Sequence, residues 1–98
     1  MLRVILEEVC SLTGESVEGV MSKNRMWPLM YARYLYFDVA TRLGVRPTSV
    51  VCFISRNRTM VSPYTKAVND LIAVDPQFRK DREELFNLVK SIIEDDTA

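Results

Sequence analysis

Asn57, Arg58, Thr59 and Met60 are consecutive, and their side chains suit the reading of base-pair edges. An arginine grips guanine with two hydrogen bonds, and an asparagine does the same to adenine. A methyl-bearing side chain packs on thymine. Around them stand groups suited to holding phosphate. Arg56 comes immediately before, Lys23 and Arg25 lie in a polar stretch, and Lys66 lies two turns beyond Arg58. Arg46, Pro47 and Thr48 open a Pro-initiated helix, whose exposed N–H groups and dipole favour anions. The chemistry these residues offer is recognition of a polyanion.

The charge distribution points the same way. The 98-residue chain carries no net charge, yet eight basic residues from Lys23 to Lys66 face a single acid, Asp38, a local charge of +7. Residues 1–22 carry −3 and residues 67–98 carry −4. A basic middle between acidic flanks is the pattern of a face built for nucleic acid, and whole-chain pI conceals it.

Catalysis finds no support. Histidine is absent, which removes the commonest general base, and no GxGxxG, P-loop or HExxH motif occurs. The two cysteines, Cys10 and Cys52, sit in apolar runs and are expected to be reduced, buried thiols. No cofactor, metal or small-molecule substrate is expected. No apolar run approaches the roughly 18 residues of a membrane span. The apolar start MLRVIL is interrupted by Glu7 and Glu8, so it does not read as a signal peptide. The expected location is the cytoplasm, with no membrane partner.

The elements that must position these residues are helices. Residues 1–98 form one domain by length, and low Gly and Pro with few β-branched runs favour an all-α fold of about six helices. Leu2 to Leu12 reads as a helix with Val4, Ile5, Val9 and Leu12 on one face, stopped by Gly14. Ser16 caps a short helix through Met21, and Ser22–Arg25 is a basic loop. A long helix from Pro28 to about Leu43 carries a core stripe of Leu29, Ala32, Leu35, Tyr36, Val39, Ala40 and Leu43. Gly44 ends it. Most of its aromatic residues belong to the core, Trp27 reads as a partly buried plug, and the methionines as gap-fillers apart from Met60.

Helices at about 47–54 and 57–73, joined by a tight polar link, suit a helix-turn-helix, whose second helix enters the major groove. Pro63 also fits the first turn of a helix beginning at Ser62, which would leave 57–61 as a loop or separate turn. A final helix runs from about Gln77 to Glu94, its charged residues forming a solvated face, and Asp95 to Ala98 should fray.

The stretch Thr13-Gly14-Glu15-Ser16-Val17-Glu18-Gly19-Val20-Met21-Ser22-Lys23-Asn24-Arg25 resembles the entry to domain IV of the bacterial replication initiator DnaA family. Arg56-Asn57-Arg58-Thr59-Met60-Val61 stands where that family has Arg-Asp-His-Thr-Thr-Val. Val68 to Ile72, followed by Phe78-Arg79-Lys80, resembles the rest of its recognition helix and the closing helix. The resemblance implies a helix-turn-helix that binds double-stranded DNA in replication initiation. It implies that Arg25 enters the minor groove and that Asn57, Arg58, Thr59 and Met60 meet bases in the major groove. It also implies that the start of the Pro47 helix touches phosphate. Only Thr59 of the base-reading set is unchanged, so a different preferred sequence or loose specificity is expected. Tyr31 and Ala32 fall where the family has a phosphate-contacting polar pair, and Arg33, one residue on, should face another way. No phosphate-cradling Gly-Lys-Thr occurs, so this chain alone is not expected to hydrolyse ATP. The competing expectation is a protein-interaction module that keeps the fold without base readout, its partner a replication initiator or another protein.

Overall fold

The computed structural model describes residues 1–97. Six α-helices follow in order: α1 Leu2–Thr13, α2 Val17–Met21, α3 Trp27–Arg42, α4 Pro47–Phe53, α5 Val61–Val74 and α6 Pro76–Thr97. A single 3-10 turn, Arg58–Met60, stands between α4 and α5. No strand occurs among the described residues, so the all-α expectation holds. No helix among them is long and apolar enough to cross a membrane.

Helix α3 is the hub, packed by each of the other five helices. It is therefore buried on more than one stripe: Phe37 joins Leu29, Ala32, Leu35, Tyr36, Val39 and Ala40 in the core, while Leu43 is only half-buried. Rings extend the contact outward, with Tyr34 and Phe37 edge-on to Tyr64 of α5, and Tyr31 edge-on to Phe78 of α6. The Tyr36 hydroxyl donates to the Val50 carbonyl at 2.8 Å, tying α3 to α4.

Helix ends follow local chemistry. Ser16 Oγ accepts from the Gly19 N–H at 2.9 Å and starts α2. Asp75 Oδ1 accepts from the N–H groups of Gln77 and Phe78 and starts α6, with Pro76 in its first turn. Gly44, at φ 94°, closes α3: its N–H donates to the Thr41 carbonyl and that of Val45 to Ala40. This is a Schellman closure, which needs a left-handed residue. The same closure ends α4 without glycine. Ser55 takes φ 63°, its N–H donating to Cys52 and that of Arg56 to Val51, at 3.0 and 2.9 Å.

Several expectations are corrected. Ile5, Leu6, Val9 and Cys10 form the buried face of α1, while Leu12 is exposed, because α1 lies against both α3 and α6. Cys52 is exposed on α4. Trp27 is 56% exposed and Met26 64% exposed, so neither is a plug or gap-filler. Helix α6 extends past Glu94 to Thr97, and Ala98 lies outside the described residues. Its polar face is not wholly solvated: Arg82 holds buried Asp38 of α3 with two hydrogen bonds, of 2.8 and 3.0 Å.

Candidate nucleic-acid interface

The segment expected to read bases does not continue one long helix. Pro63 lies in the first turn of α5, where a missing N–H breaks no intrahelical bond. The chain before it winds into the Arg58–Met60 turn, capped by Asn57, whose Oδ1 accepts from the Thr59 N–H at 3.0 Å. Asn57 therefore shapes the presentation of its neighbours, and one acceptor direction of its amide is already used. Arg58 and Thr59 are exposed, and the Arg58 guanidinium makes no side-chain bond among the described residues. Met60 is half-buried.

The basic loop between α2 and α3 owes its shape to a buried cation. Arg33 is 1% exposed and sends its guanidinium into the loop. Its Nε donates to Val20, Nη1 to Asn24, and Nη2 to Gly19 and Ser22, all backbone carbonyls, at 2.6–3.1 Å. Most of these are end carbonyls of α2, which have no partner within the helix. A guanidinium supplies donors in a fork and a positive charge at the negative end of the helix dipole. The loop adds its own turns: Ser22 Oγ donates to Gly19, and Asn24 Oδ1 accepts from Met26. Thus Lys23 and Arg25 are exposed on a braced backbone.

Arg56 completes the brace from the other side. Its Nη1 donates to Ile54 and Met21 and its Nη2 to Ser22, all carbonyls. The α4–α5 link is thereby stapled to the α2–α3 loop. Between them lies a cleft of about 400 Å³, walled by Lys23, Arg25, Met30, Arg33, Ser55, Arg56, Asn57, Met60 and Tyr64. Four of these residues are cationic and none is acidic. Burial, and next the Arg56 charge, lower the pKa of Arg33 from its ordinary value.

The expected site residues thus divide. Lys23, Arg25, Arg56, Asn57 and Met60 share the cleft, and Arg58 and Thr59 are exposed beside it in the chain. Arg46 and Thr48 are exposed at the start of α4, away from the cleft walls, and Pro47 lies in a depression with Asp38, Thr65 and Asn69. Lys66 faces a different depression on α5 and pairs with Asp70 at 3.7 Å. Arg33 and Asp38, both counted in the basic middle, are buried and leave the surface balance.

Arg33, Ser55, Met30 and Tyr64 were not foreseen as walls. Arg33 did leave a signal: with Leu29, Tyr36 and Ala40 it follows the i, i+4, i+7, i+11 spacing of the core stripe. Compared with protein-family models, curated proteins and solved structures, the chain matches none.

Proposed function

We propose that this chain binds double-stranded DNA as a helix-turn-helix module similar to the DNA-binding domain of the DnaA replication initiators. The observation that carries the reading is the acid-free cleft that joins Lys23 and Arg25 to Arg56 and Asn57. In this reading Lys23 and Arg56 lie along backbone phosphates and Arg25 reaches into a narrow minor groove. Arg58, Thr59 and Met60 meet the major groove. The capped turn, rather than a helix interior, presents them. Arg46, Pro47 and Thr48 support a flanking phosphate contact, and Lys66 contributes little because Asp70 competes for it.

Selection from random duplexes at two salt concentrations tests the proposal. Enrichment of a motif, with affinity falling steeply as salt rises, supports it. Recovery of no duplex at low salt rejects it.

A second reading, a protein-interaction module, is favoured by the exposure of Met26 and Trp27 and by the use of Asn57 Oδ1 in capping. It predicts partner binding that is insensitive to salt.

A further inference from the structure

Arg33 and Arg56 both donate to the Ser22 carbonyl, and neither has a carboxylate partner among the described residues. Four carbonyls and the Met30 sulfur together engage the five N–H donors of Arg33. Arg56 is different. Its three bonds leave the Nε–H and one Nη2 hydrogen without an acceptor among the described residues. Lys23 and Arg25 add two further cations to the same cleft, and neither has a bonded partner there. Carbonyl dipoles offset only part of such a concentration of charge, in which Arg33 is buried and Arg56 half-buried.

We infer that the cleft between the α2–α3 loop and the α4–α5 link is a pocket for a doubly charged phosphate, held by Lys23, Arg25 and the unused donors of Arg56. A single backbone phosphodiester carries one negative charge, whereas a free phosphate or a phosphomonoester carries about 1.5 to 2 at neutral pH and reaches two when its last proton leaves beside cations. Against four cations the doubly charged group is the better match. Arginine forks suit such oxyanions geometrically as well as by charge. The pocket does not depend on duplex binding. Its consequence does rest on the duplex reading: free phosphate and DNA compete for Lys23 and Arg25.

The test is a titration of the full chain with inorganic phosphate, followed by backbone amide chemical shifts, against chloride at matched ionic strength. Saturable shifts confined to the amides of residues 22–25 and 55–57 are expected. The double substitution Lys23→Ala with Arg25→Ala removes two exposed side chains and should raise the half-saturation point by about tenfold. Lys66→Ala, outside the cleft, should not move it. Shifts that rise linearly, or spread equally to Lys66, Lys80 and Lys90, mean an adventitious ion only and overturn the pocket. So does an unchanged half-saturation point in the double variant. Phosphate should also displace a bound duplex beyond the effect of chloride. If phosphate saturates the cleft and no duplex binds, the pocket stands and the duplex reading falls. If duplex binds and phosphate does not saturate, the reverse holds.

Discussion

Arg33 and Arg56, one on α3 and one in the α4–α5 link, converge on a single carbonyl, that of Ser22. Through that atom the core helix, the basic loop and the α4–α5 link are joined. The cations that face solvent, Lys23 and Arg25, are held in place by cations that do not.

Replacing Arg33 is therefore expected to cost stability. Arg33→Met fills similar space but takes the donor from the carbonyls of Val20 and Asn24, while those of Gly19 and Ser22 keep their bonds from Ser22 and Arg56. Each buried unsatisfied acceptor costs about 1–3 kcal/mol, and partial access to water lowers the sum to about 3 kcal/mol. Urea denaturation measures it; a loss below about 1 kcal/mol, within the range of an ordinary surface substitution, contradicts the clamp.

Ser55 predicts the opposite sign. A serine at φ 63° carries a Cβ penalty that glycine does not. Ser55→Gly should stabilise by about 0.5–1 kcal/mol, after allowance for the looser unfolded chain. Gly44→Ala, at φ 94°, should destabilise by about 1 kcal/mol or more. Thermal or urea unfolding of the pair checks both signs.

The Asp38–Arg82 bridge joins α3 to α6, with side chains only 6% and 18% exposed. Asp38→Asn leaves Arg82 with only the exposed Glu83 as a charged partner and should cost about 2–3 kcal/mol, below the 3–5 of a fully buried pair. The exposed Arg3–Glu7 pair is a control, and Arg3→Ala should change stability by less than about 0.5 kcal/mol. Equal effects from the two substitutions would contradict the latch.

Much of the fold was legible because its boundaries are marked by residues with one dominant physical effect. Gly14, Ser16, Gly44 and Pro47 each stand where a helix ends or begins. Periodicity identified α3, but it could not show that five helices surround it, so Asp38 was not expected to be buried. The turn at Ser55 was hidden because serine gives no left-handed signal. The role of Arg33 was obscured by the ordinary expectation that arginine faces water. Its place on the core stripe was the stronger clue, since burial follows geometry once enough acceptors surround the charge. Pro63 was legible in one of its two readings: a proline in a first turn required a separate turn before it.

For DNA recognition, Arg25→Ala and Arg58→Ala should each weaken binding to a selected duplex by about 1–3 kcal/mol. Arg58→Ala should also relax sequence preference, whereas Lys66→Ala should change affinity little. Fluorescence anisotropy with selected and scrambled duplexes separates these effects. Equal losses on both duplexes for Arg58→Ala would assign it to phosphate rather than to a base.

The most direct test of the account is the salt dependence of duplex affinity for the wild-type chain beside the Lys23→Ala, Arg25→Ala double variant. With about four phosphates neutralised, affinity should fall about a hundredfold between roughly 50 and 200 mM salt, and the double variant should lose about two units of the log–log slope. Identical slopes for the two proteins, or a wild-type affinity indifferent to salt, would contradict the claim that this cleft meets DNA.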